Sequence, residues 1–580
     1  MTTRRSIEWA RWMAMGAGLV LAGCPGDDSG RSEGGDAGPG IDSLGPATGD
    51  GTAGDSESIE TDGEAQLSHL LVEPTETLLE MNLDTPMSLP LTVTAVYTNG
   101  DSFDVTDEAT WEVGNPQVGT MNGNTLEIPG FADSTFISSI IYATVGSDQG
   151  RAQVTLAAYR LDEDFFFVLP YDDPNGDQTK PLTFSTEVKS MDVFVNMDTT
   201  GSMGGALGNL QSSIASTIIP AIQALVPDTQ FGGGTFEDFP VSPYGNAGPD
   251  QPFELFQEIT ADVGAVQSAV LGFNLGSGGD GPESNFEALY QIATGEGLAG
   301  PAPTSVPPNN SGIGGVGFRE GSLPVVVSIT DAVSHDTLDN SCFQQYAGSV
   351  AAVAHSRDQT VGALRNICAR VVQIATNSSP SCSPMADGIF LAQQTGAVIP
   401  PEAWDIAGHP GGCSPGQCCT GLNGAGVAPD GNGMCPMVYL AQSNGTGVDT
   451  SFSSAIQLLA AYGRFGVTSQ VGGVDTDTEG MPLPAGHTTA DFIKAVTPFD
   501  HGSVPLPGVP DPTIGPTSFN DVIPNTDVIF QVRAFNDFVE GGTQPRLFTA
   551  TIQVLADDCG ELDEREVFIL VPPSALPPVG

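Results

Sequence analysis

Two apolar segments of the sequence are each followed at once by oxygen-bearing side chains. "MDVFVNM" runs into Asp198, Thr200 and Ser202, and "LPVVVSI" runs into Thr330 and Asp331. The apolar segments are typical of buried strands, and open parallel sheets bind ligands at the carboxyl ends of their strands. Hydroxyl and carboxylate oxygens suit Mg²⁺. The sequence therefore predicts a cation site at one sheet edge; the alternative is that the two aspartates only cap turns.

Two further segments strengthen this prediction. They are "GTFEDFPVSPY" at 234–244 and "DGPESNFEAL" at 280–289. Together with "DTTGSM", and in the same order, they resemble the metal-binding domain of the von Willebrand factor A family, most of all the I-like domain of integrin β subunits. The resemblance implies a binding protein that uses a bound cation to capture its ligand.

The resemblance also implies a role for each residue of the predicted site. Thr200, Ser202 and Glu283 would contact Mg²⁺ directly, while Asp198 and Asp331 would hold its water ligands. Two neutral hydroxyls and one carboxylate leave such an ion incompletely neutralised, so it keeps affinity for one more anionic oxygen. A carboxylate from a protein partner is the expected last ligand.

A neighbouring Ca²⁺ site is the second implication of the resemblance. Its ligands would be Asp238, Asp280, Glu283 and the carbonyl of Pro282. The match is imperfect, because the integrin pattern has asparagine where this chain has Gly278. We expect this site to be weak or absent.

A third integrin site needs paired aspartates soon after the serine. This chain has Gly204, Gly205 and Ala206 there. We expect that site, and any regulation that depends on it, to be missing. His335, which follows Asp331 closely, is expected in a surface loop rather than at the metal face.

The elements that would position these residues lie in 190–467, where apolar strands alternate with helices. This rhythm predicts a mainly parallel sheet covered by helices, and the resemblance makes it a doubly wound von Willebrand factor A domain, with a Cys-rich loop at 409–435. Strand-like segments at 159–189 and 468–580 predict a β-sandwich that this domain interrupts. The expected fold class is α/β.

Residues 66–158 show short alternating runs separated by turn signals, which predicts a further β-sandwich. The segment "LTVTAVYTNGDSFDVTDEATWEVGNPQVGTM" resembles bacterial immunoglobulin-like domains, with Trp111 as the expected core aromatic. Such a domain is expected to act as a spacer, and ligand binding is the alternative.

The first residues are typical of an export signal. Arg4, Arg5 and Arg11 precede a short apolar stretch, and "LAGC" at 21–24 resembles the lipobox of bacterial lipoproteins. By that resemblance the signal peptide is 1–23 and Cys24 is acylated; an ordinary signal peptide is the alternative. Residues 24–65 are rich in glycine, serine and acidic residues and predict a disordered tether. The expected location is the outer membrane of a Gram-negative bacterium.

The formal net charge of −53 excludes one class of partner. Such an acidic chain repels phosphate backbones, so we expect no nucleic acid partner and a membrane contact through the lipid anchor alone. Eight cysteines besides Cys24 favour disulfides in an oxidising compartment. Because only one of them lies far downstream, either one bridge crosses domains or two thiols stay free. The candidates are Cys342, Cys368, Cys382, Cys413, Cys418, Cys419, Cys435 and Cys559.

The leading hypothesis is a non-enzymatic, cation-dependent binding protein of the cell envelope. A lipoprotein that fixes an envelope partner constitutively is the first alternative. A hydrolase is the second, because "GCSPG" around Ser414 fits the nucleophile pattern G-x-S-x-G. The flanking cysteines and glycines do not supply the strand and helix that such a nucleophile needs.

Overall fold

The computed structural model describes residues 65–336, 345–378 and 382–576. The predicted signal peptide, Cys24, nearly all of the tether and Cys342 lie outside these residues. Within them, no helix combines the length and the apolar character that crossing a membrane requires.

Ten strands form three sheets in the N-terminal part, in the orders β1-β4-β5, β2-β10-β9-β6 and β3-β8-β7. Trp111 is half-buried on β6 and packs against two separate apolar clusters. The strands are β1 (Leu67–Glu73), β2 (Glu76–Asn82), β3 (Met87–Pro90), β4 (Thr92–Tyr97), β5 (Ser102–Asp104), β6 (Thr110–Val113), β7 (Thr120–Asn122), β8 (Thr125–Ile128), β9 (Thr135–Val145) and β10 (Asp148–Tyr159).

A six-stranded sheet occupies the middle of the chain. Two strands precede it, β11 (Phe165–Val168) and β12 (Gln178–Phe184). The sheet and the segments around it contain β13 (Ser190–Asp198), β14 (Asp228–Phe236), β15 (Glu254–Thr260), β16 (Leu323–Thr330), β17 (Arg370–Ala375), β18 (Val398–Ile399), β19 (Cys435–Pro436) and β20 (Val438–Leu440).

The helices of the middle region are short. They are α1 (Gly204–Ser213), which continues through a π turn (Ile214–Ile218) into α2 (Ile219–Gln223), then α3 (Val263–Leu271), α4 (Asn285–Thr294), α5 (Gly348–Ala351), α6 (Arg357–Asn366), α7 (Met385–Gln394), α8 (Ala403–Ala407) and α9 (Val448–Tyr462).

The middle sheet has the order β15-β14-β13-β16-β17-β20, in which β15 is antiparallel and the other five strands run parallel. β13 is apolar on both faces because both faces are covered. Val193 and Val195 pack in one core cluster and Phe194 in another. This burial fixes the register of β13 and therefore the position of Asp198 at its carboxyl end.

The remaining strands pair with β11 and β12. Their sheets have the orders β11-β27-β26-β21-β24-β23 and β12-β25-β22. A disulfide from Cys368, just before β17, to Cys559 ties the two regions together. The strands are β21 (Phe465–Gly473), β22 (Ile493–His501), β23 (Thr513–Ile514), β24 (Phe519–Val522), β25 (Val528–Ala534), β26 (Arg546–Ala556) and β27 (Gly560–Val571).

The predicted fold class, α/β with a doubly wound von Willebrand factor A domain, is wrong. Strands hold 37% of the residues and helices 19%, and the strands are spread over seven sheets. The fold of the described residues is mainly β. The alternating segments on both sides of the middle region supply most of the regular structure, whereas the helical segments between the central strands are short and separated by long irregular loops.

Candidate functional site

Asp198 ends β13 and is fully buried beneath the loop that follows it. Its Oδ1 accepts hydrogen bonds from the backbone N–H and the hydroxyl of Thr200, at 2.9 and 2.7 Å. Its Oδ2 accepts one from the Thr330 hydroxyl at 2.6 Å. Burial raises the pKa of Asp198 to about 6, although these hydrogen bonds oppose the shift. The carboxylate is thus rigidly oriented and costly to charge.

Asp331 follows β16, the strand next to β13, so the two carboxylates share one edge of the sheet. Ser202 Oγ donates a hydrogen bond to Asp331 Oδ1 at 3.0 Å. The hydroxyl oxygens of Thr200 and Ser202 lie 3.4 Å apart. The hydroxyls of Thr200 and Ser202 therefore lie side by side between the carboxylates of Asp198 and Asp331.

Glu283 reaches this edge from the loop before α4. The first residue of that helix, Asn285, is buried and accepts hydrogen bonds from Asn196 on β13 and Ser328 on β16, at 3.0 and 2.8 Å. The backbone N–H of Glu283 donates to the carbonyl of Val333 at 2.8 Å. Glu283 is therefore fixed against the loop that carries Asp331.

The side chain of Glu283 is only 5% exposed, and its Oε2 has no hydrogen-bond partner. Burial raises the pKa of Glu283 to about 11, and the neighbouring carboxylates of Asp198, Asp238 and Asp280 add to the shift. An unpaired carboxylate in this position is unfavourable unless a cation neutralises it.

A cleft of about 470 Å³ opens over these residues. Its lining includes most of the residues predicted for the two cation sites, while Asp198 lies beneath it and Asp238 is buried beside it. The predicted lining residues are Thr200, Ser202, Asp280, Pro282, Glu283 and Asp331. A divalent cation fits this donor set, because the oxygens are of the type that Mg²⁺ prefers and one of them is otherwise unpartnered.

The residues predicted for Ca²⁺ have an additional neighbour. His335 Nε2 lies 3.0 Å from Asp238 Oδ2 and 3.5 Å from Asp280 Oδ1. The prediction that His335 lies in a surface loop is wrong, since it is 2% exposed. Its backbone N–H donates to the carbonyl of Glu283 at 3.0 Å, and this pairing draws the loop inward.

Asp250 and Glu237 hold the site together but were not found from the sequence. The Asp250 carboxylate accepts backbone hydrogen bonds from Ser277 and Gly278, at 2.8 and 3.1 Å. Glu237 accepts hydrogen bonds from Thr199 and Gln251, and burial raises its pKa to about 7. Only an excess of acidic residues in these segments hinted at such a role.

Close contacts restrict the side chain at two of the positions that depart from the integrin pattern, Gly278 and Gly205. Gly278 has φ +69°, and a Cβ there would lie 3.0 Å from Glu283 Oε1, so a larger residue would be strained. A Cβ at Gly205 would lie 2.5 Å from the backbone of Asn444. An aspartate at position 205 would therefore require the chain around Asn444 to move.

The Cys-rich loop is separate from this cleft. Two disulfides, Cys413–Cys419 and Cys418–Cys435, hold the loop, and Ser414 is exposed in an irregular turn between them. Cys382 is also disulfide-bonded. Together with Cys368–Cys559, which crosses from the middle region to the flanking strands, these bonds favour the alternative of a bridge between regions.

The pKa shifts predict how stability depends on pH. A carboxyl group whose pKa is higher in the folded chain than in the unfolded chain binds protons preferentially when folded, so stability falls as pH rises toward the folded pKa. Asp198 at about 6 has largely titrated by pH 7 and Glu237 at about 7 by pH 8, whereas Glu283 at about 11 has not. In EDTA, we expect the free energy of unfolding to fall between pH 8 and 9, by at most about 1.4 kcal/mol per pH unit.

Denaturant unfolding at several pH values, in EDTA and in saturating Mg²⁺, measures this slope. Saturating Mg²⁺ should reduce the dependence of the free energy of unfolding on pH. In EDTA, the Glu283→Gln variant should not show this dependence. An equal slope in the parent protein and in Glu283→Gln would contradict the assignment to Glu283.

Comparisons with known proteins add one remote likeness. No protein-family profile matches the chain, and no curated protein matches it. Among solved structures, the chain is similar to the pilus adhesin SpaC from Lactobacillus rhamnosus GG in its open conformation, with 11% identity and a TM-score of 0.25. The match covers 80% of this chain and 55% of the adhesin, so the chain spans about half of that protein's length. Similarity at this level establishes neither fold nor function.

Proposed function

We propose that this protein is a non-enzymatic lipoprotein of the cell envelope that captures a carboxylate-bearing ligand through a divalent cation. One observation carries the proposal: Glu283 is buried at an open cleft with an unpartnered oxygen and a pKa raised to about 11. A structural carboxylate would have a hydrogen-bond or cationic partner. Glu283 instead faces further carboxylates, an arrangement that a cation would stabilise.

The donor set favours Mg²⁺ and a ligand that supplies oxygen. Thr200, Ser202 and Glu283 would bind the ion directly, while Asp198 and Asp331 would orient its water ligands. When bound, the ion supplies a positive charge at the cleft that attracts an anionic oxygen. Ser202, one of the proposed ligands, is exposed. An ion bound to it would therefore be accessible from solvent.

The surroundings agree with a role outside the cell. A lipid anchor at Cys24 would hold the chain at the outer membrane of a Gram-negative bacterium, with the first β region as a spacer. Disulfide bonds at Cys368, Cys413, Cys418 and their partners suit an oxidising compartment. The partner we propose is an extracellular or envelope protein that presents a carboxylate, and the net charge of −53 disfavours nucleic acid.

Replacing Ser202 with alanine tests the proposal with little risk to the fold, because this residue is exposed. We expect isothermal titration calorimetry to show one Mg²⁺ bound by the parent protein, with affinity reduced on the order of tenfold or more in Ser202→Ala. Asp358→Asn is the matched control. Its side chain is 85% exposed on α6, so this variant removes one surface charge and should bind Mg²⁺ as the parent does.

The same proteins can be tested for capture of paired peptides that carry either aspartate or asparagine. The proposal expects retention of aspartate peptides with Mg²⁺ and their release by EDTA. Retention that persists in EDTA would instead support constitutive assembly through apolar contacts. Absence of saturable Mg²⁺ binding in the parent would refute the proposal.

A further inference from the structure

A second group of metal-binding side chains lies beside the Mg²⁺ residues. Asp238 Oδ2 and Asp280 Oδ1 lie 3.0 and 3.5 Å from His335 Nε2. These three ligand atoms lie within 4.8 Å of one another. Ligands of a tetrahedral Zn²⁺ with bonds of about 2.0–2.1 Å stand roughly 3.3 Å apart. The two distances from His335 Nε2 lie on either side of this value, so the three side chains are close enough to bind one ion.

The acidic side chains here are poorly satisfied without an ion. Both carboxylate oxygens of Asp280 are buried without a hydrogen bond, although Oδ1 lies 3.5 Å from the imidazole of His335. Glu283 Oε2 is likewise buried without a hydrogen-bond partner, and Glu283 is 5% exposed. The cluster of Asp238, Asp280 and His335 supplies three of the four ligands that Zn²⁺ takes, and water can supply the fourth.

The histidine ring is held in place by aromatic neighbours. Its centroid lies 4.0 Å from the ring of Tyr346 and 5.2 Å from the ring of Tyr244. The Tyr346 hydroxyl also donates a hydrogen bond to Asp238 Oδ1 at 2.6 Å, which leaves Oδ2 as the oxygen nearest the imidazole. Such an outer contact orients a metal-binding carboxylate.

A nitrogen donor changes which cation this cluster selects. Ca²⁺ takes six to eight oxygen ligands, whereas Zn²⁺ takes four ligands and binds imidazole well. We infer that Asp238, Asp280 and His335 form a Zn²⁺ site, in place of the Ca²⁺ site that the sequence suggested. The inference does not require Mg²⁺ at the first site.

The test measures the two cations separately on the whole protein. We expect one Zn²⁺ per chain by competition with a chromophoric chelator, and an affinity at least about 100-fold lower in His335→Gln, since loss of a direct ligand exceeds the 10–100-fold cost of an outer one. Mg²⁺ affinity should be unchanged in His335→Gln. Ser202→Ala should show the reverse pattern, so failure of the Zn²⁺ site and failure of the proposed Mg²⁺ function are distinguishable.

His409→Gln is the matched control, because His409 also pairs with a carboxylate, that of Asp405, at 2.7 Å. This variant should bind Zn²⁺ as the parent does. Equal Zn²⁺ affinity in the parent and His335→Gln would overturn the inference, as would loss of Zn²⁺ binding in His409→Gln alone.

A spectroscopic measurement on the parent protein covers the case in which His335→Gln does not fold. Co²⁺ substituted for Zn²⁺ should give the intense visible absorption of a tetrahedral site. Weak octahedral bands, or no saturable binding of Co²⁺ and Zn²⁺, would refute the site. The cluster would then be an internal ion pair in which His335 takes the place of a metal.

Discussion

Replacing Asp198 with asparagine is expected to weaken Mg²⁺ binding on the order of 100-fold without destabilising the metal-free protein. The amide keeps the shape of the side chain and can still accept hydrogen bonds from Thr200. The Thr330 hydroxyl, which now donates to Oδ2, can turn toward the carbonyl of Ala332 at 3.4 Å. The substitution removes one buried negative charge from a cluster of carboxylates. That charge is favourable only when a cation is bound beside it.

Two measurements on the Asp198→Asn protein check this expectation. Calorimetry gives the Mg²⁺ affinity, and urea unfolding in EDTA gives the stability of the metal-free protein, which should equal or exceed that of the parent. Asp262→Asn is a suitable control, because Asp262 caps α3 outside the cleft. Unchanged Mg²⁺ affinity in Asp198→Asn would rule out the proposed role of Asp198.

Replacing Arg319 with alanine is expected to destabilise the fold by about 3 kcal/mol, since removing one partner of a buried ion pair costs roughly 3–5 kcal/mol. Asp192 on β13 is fully buried, and the Arg319 guanidinium lies 2.7 Å from its Oδ1. The lower end of the range applies because Arg319 is 28% exposed and water can enter. Only the hydroxyl of Ser322 and one backbone N–H would still bind Asp192.

Denaturant unfolding in saturating Mg²⁺ measures this loss. Arg533→Ala removes an arginine that is 50% exposed and whose partner Asp177 is 32% exposed, against 0% for Asp192, so it should cost less than about 1 kcal/mol. Mg²⁺ affinity should be the same in both variants and the parent, because the Arg319 pair lies at the opposite end of β13 from Asp198. Similar losses of stability in the two variants would show that the burial of Asp192 does not determine how much stability is lost with Arg319.

The grouping of oxygen-bearing side chains at the candidate site follows from local sequence features. An apolar strand ends in Asp198 and another ends beside Asp331, and neighbouring parallel strands bring their carboxyl ends together. Helix α3 is likewise a short apolar segment that follows a capping aspartate, Asp262. In both cases the structure is formed by residues that are close to one another in the sequence.

The errors arose where distant segments decide the outcome. His335 is buried because its backbone N–H binds the carbonyl of Glu283. The sequence around His335 does not predict this contact. The predicted fold class was wrong because strands alternate with helices only in the middle region, whereas the regions on either side consist mainly of strands. Asp250 went unnoticed because it binds backbone N–H groups, which any sequence offers.

The Cys368–Cys559 bond makes one covalent ring of a long stretch of chain, since its cysteines are 191 residues apart. The Cys413–Cys419 and Cys418–Cys435 loops lie inside that ring. A protease that cuts the backbone once within the ring therefore releases no fragment until the disulfide is reduced. Nicking of a surface loop between β17 and β26 would thus leave the residues on both sides of the cut attached to the same molecule, which would matter at the location that we propose.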